Sequence, residues 1–208
     1  MKSVKSKKSK DWKELPIVSF VLVAINLLVF VICMIKGEDL FTWGHIDVDH
    51  VLIQQEYGRL IGALFYHVNY LHLFCNIFVL ILLGMMIEKA VGHIRFAFFY
   101  FFSGICGYLL SLYFMMITEV KNVVYFGADG AIFGLEGVVL ALALLWADKL
   151  GNVGFVKALL LVAYSAYSGL IMQYSDNAAN VGGLMTGFLW AVVMCMVEKR
   201  RKVGGEKP

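Results

Sequence analysis

From Ile17 to Ile35 the chain runs nineteen residues without a charge. An α-helix needs about 20 mostly apolar residues to cross the hydrocarbon of a bilayer, so this run reads as a membrane span. Five further segments qualify: about Leu71 to Ile87, about Phe96 to Ile117, Ala131 to Trp146, Phe155 to Met172 and Val181 to Val197. In lipid every backbone N–H and C=O must be satisfied within the structure, which restricts long spans to helices or closed barrels. The runs have helix length, so the expectation is an all-α membrane protein with six transmembrane helices. The chain is 61% hydrophobic and 16% charged, whereas soluble domains are about 45–50% apolar and about 25% charged. Those figures disfavour an ordinary soluble enzyme, a disordered chain and a nucleic-acid binder.

The basic residues set the orientation. Fifteen of the 18 Lys and Arg precede span one, lie between spans two and three or four and five, or follow span six. Only Lys36, Arg59 and Lys121 fall on the other side. The positive-inside rule then places both termini in the cytoplasm. The organisation expected is a basic cytoplasmic tail over 1–16, a membrane domain over 17–197 with an interfacial loop over 36–70, and a second basic tail over 198–208. Span one is too long for the apolar core of a signal peptide and ends at Cys33-Met34-Ile35 without a cleavage pattern, so it reads as a retained helix. Cys33, Cys75, Cys106 and Cys195 form no metal spacing and read as small buried hydrophobes.

Polar groups at membrane depth are costly, so they are functional candidates. Three clusters open spans two, four and six. They are His67 with His72 and Asn76, Gly127-Ala128-Asp129-Gly130, and Asp176 through Asn180 to Gly187. His72 and Asn76 are four apart and share a helix face. All three clusters sit at the outer ends of their spans, where one pocket open to water brings them together.

On these residues the chain resembles the rhomboid family of intramembrane serine proteases, from about Trp43 to Val197. The family's HxxxxHxxxN motif is matched in full by His67, His72 and Asn76. Its GxSG motif corresponds to Gly127, Ala128, Asp129 and Gly130, and its AHxxGxxxG motif to Ala179 through Gly187. A Trp-Arg pair of the family's first loop is reduced to Tyr57-Gly58-Arg59, and Glu88, Gly92 and Arg95 resemble its turn between helices two and three. The resemblance implies a six-helix rhomboid-like bundle, with His72 and Asn76 as oxyanion donors and His67, Gly127, Gly130 and Arg59 in support.

The departures fall on the catalytic pair. The position of the family's nucleophilic serine is Asp129, and that of its general-base histidine is Asn180. No histidine follows His93. A serine hydroxyl needs a neighbouring base to attack; asparagine has no proton-accepting group that titrates near neutral pH, and a carboxylate is a poor nucleophile toward an amide. Loss of either member of such a pair lowers turnover by roughly a million-fold.

Two readings of Asp129 stand side by side. As an N-cap it satisfies orphan amides of span four. If the rhomboid packing holds, its carboxylate also faces His72 and Asn76 and occupies the place of a transient oxyanion. An aspartic dyad of Asp129 with Asp176 is disfavoured, because Asp176 reads as a loop or N-cap residue of span six. A metal held by His67, His72 and Asp129 is disfavoured by the five-residue histidine spacing. No metal and no cofactor is expected.

Gly183 and Gly187 form a GxxxG face, and Gly130, Gly134 and Gly137 offer small sites on span four, so these two helices are expected to pack closely. Glu136 lies within span four and must face protein or water, span five is polar at Tyr164, Ser165, Tyr167 and Ser168, and Phe96 to Phe102 reads as lipid-facing. The function expected is a multi-pass membrane protein, bacterial and in the plasma membrane. It lacks serine proteolysis and binds transmembrane client proteins, as inactive members of the resembled superfamily do. The alternative is an active or engineered-inactive rhomboid intramembrane serine endopeptidase. The partners are the lipid bilayer and transmembrane clients or substrates, with no nucleic acid.

Overall fold

The computed structural model describes residues 15–37, 43–67, 69–118, 123–151, 153–171 and 175–203, without the side chains of 168–171 and 202–203. The two tails therefore lie largely outside the described residues. Six long helices follow one another: α1 (Ile17–Lys36), α2 (Tyr70–Val91), α3 (His93–Ile117), α4 (Asp129–Leu145), α5 (Phe155–Ile171) and α6 (Asn177–Val203). Among the described residues, α1, α2, α3 and α6 are long and apolar enough to cross a membrane. The protein is an all-α, membrane-embedded bundle.

The helices follow the expected apolar runs with shifted ends: α3 starts at His93, α4 runs from Asp129 and stops at Leu145, before Trp146, and the expected end of span five at Met172 lies outside the described residues. α2 continues to Val91, and α6 starts at Asn177 and passes through Glu198 into the basic residues. Helix hydrogen bonding does not stop where hydropathy falls, and Arg95 of α3 bonds Glu198 across the bundle, which gives that charged turn a partner.

α4 is the central helix. Thirteen of its 17 residues are buried, as expected for a helix apolar on all sides. It meets α6 through glycines. A Cβ on Gly183 would lie 1.9 Å from the Gly130 carbonyl oxygen, and one on Gly187 would lie 1.9 Å from that of Gly134. The two backbones therefore touch, and only hydrogen fits between them.

α1 is fastened at its beginning. The buried Glu88 carboxylate on α2 accepts Val18 N–H at 2.8 Å, Ser19 N–H at 3.0 Å and the Ser19 hydroxyl at 2.6 Å. Those amides are orphan donors of the first turn, and the helix dipole favours an anion there. Glu88 also meets His93 Nδ1 across Gly92, whose φ of +88° makes the reversal into α3.

Two expectations are corrected. Phe96, Phe99 and Tyr100 are buried rather than lipid-facing, while Phe98 and Phe102 stack outside them at 5.0 Å and pack edge-on to Trp190. The period of α3 simply turns every third or fourth aromatic inward. Of the cysteines, Cys33 and Cys195 are buried, Cys106 is half-buried and Cys75 is exposed. Cys75 precedes Asn76, and the helix that aims Asn76 inward turns Cys75 out.

α5 packs chiefly on α4. Ser165 Oγ donates to Glu136 Oε1 at 2.6 Å, which supplies a partner for that buried carboxyl group. Tyr164 and Tyr167 are exposed. The loop before α2 is folded into short helical turns at Asp49–Ile53, Arg59–Gly62 and Ala63–Phe65. It buries Ile46, Val51, Ala63 and Leu64 completely.

Candidate functional site

Asn69 begins the site. Its backbone is extended and its side chain accepts the His72 N–H at 2.9 Å, so Asn69 caps α2 and sets the rotation of the first turn. That rotation places His72 and Asn76 on the inward face. His67 precedes the cap and is 1% exposed. Asn76 Nδ2 donates to His67 Nε2 at 3.1 Å, and His67 Nδ1 meets the Phe65 carbonyl at 3.3 Å. One tautomer satisfies both contacts, with the proton on Nδ1. Burial, and next the proximity of His72, push the His67 pKa down to about 4, so this ring is neutral near pH 7.

The opposing wall is the segment leading into α4. Gly127 N–H donates to the Ala63 carbonyl at 2.9 Å, and the Tyr108 hydroxyl donates to the Gly127 carbonyl at 2.7 Å. Gly127 has φ +123°, and a Cβ there would lie 2.9 Å from both His72 Cε1 and Asp129 Oδ2. Glycine is required on both counts. The chain so held delivers Asp129 to His72, with Nε2 and Oδ2 2.8 Å apart. The Asn76 side chain reaches toward the same carboxylate. His72 and Asp129 keep 20% and 30% of their side-chain surface exposed, so the pair remains partly accessible.

Asp129 is not the N-cap of α4, which corrects the capping part of its expectation. The cap position is Ala128, and no side chain caps the helix. The carboxylate lies one residue further in, within the positive first turn, and its hydrogen bond goes to His72. Of the two readings of Asp129, the contact with His72 is the one seen here.

Asn180 is 4% exposed and donates from Nδ2 to Ser175 Oγ at 3.1 Å, leaving its buried Oδ1 without a partner among the described residues. Its neighbour Ala179 touches Gly130, since a Cβ on Gly130 would lie 3.2 Å from the Ala179 carbonyl oxygen. The segments carrying Asp129 and Asn180 are therefore adjacent. Asp176 Oδ1 accepts Ala179 N–H at 3.0 Å, so Asp176 caps α6 as expected. Burial raises its pKa.

Arg59 stands apart from this site. It is buried beneath the loop, bonded through Nε to Glu56 and through Nη1 to the His45 carbonyl at 3.3 Å, with its guanidinium 5.7 Å from the Trp43 ring. Its aromatic partner is thus Trp43, sixteen residues away, and not the exposed Tyr57. One cluster went unread in the sequence: His45, Asp47 and His50 converge in this loop. The signal was an HxDxxH spacing, which reads as an ordinary polar loop until an extended residue and a helical turn bring its ends together.

Fold and site together define an integral membrane protein whose polar residues gather at the ends of buried helices. Residues 54–197 match the Rhomboid domain family. The chain is 32% identical over 157 residues to RHOMBOID-like protein 6, mitochondrial, of Arabidopsis thaliana, covering 74% of this chain and 48% of that one. It is 27% identical over 184 residues to the rhomboid protease GluP of Bacillus subtilis (strain 168), covering 86% and 35%. YdcA of the same bacterium, provisionally named a rhomboid protease, is 28% identical over 90% of this chain and 92% of its own length. The chain spans about half or less of the two Arabidopsis relatives RHOMBOID-like proteins 6 and 4. It belongs to the rhomboid family.

Proposed function

We propose that this rhomboid-family protein engages transmembrane client proteins without cutting them by serine chemistry. The observation that carries the reading is the contact between His72 and Asp129. In the family this pocket holds a serine nucleophile and donors for a transient oxyanion. Here a permanent carboxylate takes the hydrogen bond that a substrate oxyanion would need, and Asn180 has no group to accept a nucleophile's proton. Asp129 holds His72, Asn76 orients His67, and the pocket is left as a polar docking surface beside α2 and α5. On this reading 17–197 is the membrane domain, both termini are cytoplasmic, all six helices cross the bilayer, and the membrane is a bacterial plasma membrane.

The second reading is an active or engineered-inactive intramembrane endopeptidase, favoured by relatives named as rhomboid proteases. Reconstitution with a helix-destabilised transmembrane substrate separates the two. Cross-linking to the substrate without cleavage by the parent protein, together with cleavage by Asp129→Ser/Asn180→His, is the outcome expected of the first reading. Cleavage by the parent that Asp129→Ala abolishes overturns it.

A further inference from the structure

We propose that His45, Asp47 and His50 form a binding site for one divalent transition-metal ion of the zinc class. His45 Nε2 lies 2.8 Å from Asp47 Oδ2, and His50 Nδ1 lies 2.7 Å from the same oxygen. The three donor atoms all fall within 4.8 Å of one another. Zinc bonds imidazole nitrogen at about 2.0–2.1 Å and carboxylate oxygen at about 2.0–2.2 Å, which separates neighbouring donors by roughly 3.3 Å. Movements on the order of an ångström bring these donors to that spacing. The two imidazole planes stand at 87° with centroids 5.4 Å apart, so the rings approach the carboxylate from different directions.

The backbone prepares this arrangement. Ile46 pairs with Tyr125 in both directions, N–H to carbonyl at 2.8 Å and 3.2 Å. Ile46 is fully buried, and in extended backbone the residues on either side of it point the other way. That puts His45 and Asp47 on one outer face. The turn Asp49–Ile53 follows and carries His50 back over them. The His50 N–H donates to Asp47 Oδ1 at 2.8 Å, which pins the carboxylate with Oδ2 turned to both rings.

Ligand chemistry selects the ion. Two imidazoles and one carboxylate suit zinc and its first-row neighbours, whereas magnesium and calcium prefer all-oxygen shells. Binding needs no net proton loss from neutral rings, because each can carry its proton on the nitrogen facing away from the ion. Within Trp43–Arg59 the charges are Asp47, Asp49 and Glu56 against Arg59, and Arg59 is paired with Glu56. The surroundings therefore favour a cation. Three protein donors leave a fourth position for water, and the side-chain exposures of 12%, 17% and 35% leave a path to it. A bound ion would lock the loop to Tyr125, two residues before Gly127.

The test uses the full chain in detergent, without a polyhistidine tag and stripped with EDTA. Co²⁺ is titrated by its visible absorption and displaced by Zn²⁺. One equivalent is expected, with affinity lowered at least about tenfold by Asp47→Asn or His50→Gln and unchanged by His72→Gln. Zn²⁺ at about 100 times its Kd should raise the parent Tm by about 5–10 °C and leave the Asp47→Asn/His50→Gln variant unmoved. Zinc-edge X-ray absorption of the parent, which needs no variant, should report two imidazoles. No binding below millimolar metal, binding that survives the double variant, or a spectrum without two imidazoles would overturn the proposal.

Discussion

His72 and Asp129 meet across 57 residues of sequence, Nε2 to Oδ2 at 2.8 Å, where the starts of α2 and α4 come together. The contact is held from both sides. The Asn69 cap sets His72, and the Ala63, Tyr108 and Gly127 hydrogen bonds set the approach to Asp129. Because both residues keep some exposure, the pair is worth less than a buried one. Asp129→Ala is expected to cost about 1–2 kcal/mol, a fall in Tm of roughly 2–8 °C. Asp129→Asn, which keeps an acceptor, should cost less. Thermal melting in detergent reads both.

Placing serine and histidine at positions 129 and 180 tests the proposed chemistry. Asp129→Ser/Asn180→His should raise cleavage of a transmembrane substrate by about a thousand-fold or more over the parent, while Asp129→Ser alone should stay near background. The expected non-additivity arises because nucleophile and base act as one unit. Equal activity of the single and double variants would show that Asn180 is not at a base position.

Glu88 should matter more to the fold than Asp129. It is buried and bonded to Val18, Ser19 and His93. Glu88→Ala strips the first turn of α1 of its acceptor and leaves His93 unpaired, at a cost of about 3–5 kcal/mol. Ser19→Ala removes one bond and should cost about 1 kcal/mol. Melting temperature, and protease access to the start of α1, give the ranking.

The glycine contacts separate tight from loose positions. Gly183→Ala places a methyl group 1.9 Å from the Gly130 oxygen, so α4 and α6 must part, at a cost of about 1–3 kcal/mol or more. Gly62→Ala meets nothing within 4 Å and should be neutral or stabilising. Comparative melting of the two variants reads the difference.

His67 predicts a pH dependence. Its pKa falls from the ordinary 6.5 to about 4 on folding. Between those values the unfolded chain binds the extra proton, so stability rises with pH. The contribution is complete above about pH 6.5 and is lost as pH falls toward 4, by about 3 kcal/mol. The difference in Tm between the parent and His67→Gln, followed from pH 7 to 4, should narrow as the pH drops. A constant difference would mean that the ring is charged in the folded state.

The helices were legible because a bilayer allows a long apolar run few alternatives, and hydropathy is a local property. The three polar clusters were legible for the same reason, since polar groups stand out against lipid. The α4–α6 contact was legible in the spacing of the glycines, together with the family resemblance. Helix ends were less legible: α6 runs on through Glu198, which Arg95, 103 residues away, bonds. The aromatic run 96–102 splits between core and surface by rotation of α3, which its uniform hydropathy does not encode.

By itself the sequence determined the class of fold and the family, and it pointed to Asp129 and Asn180 as the residues to ask about. Tertiary structure decided what those residues do. That Asp129 bonds His72 rather than capping its own helix depends on the path of the preceding segment, which Ala63 and Tyr108 hold from other elements. The partner of Arg59 and the convergence of His45, Asp47 and His50 depend in the same way on how one loop folds back on the bundle. Hydropathy is carried by single residues and survives in a string of letters. Hydrogen-bond geometry belongs to pairs distant in the chain, and exists only once the helices are packed.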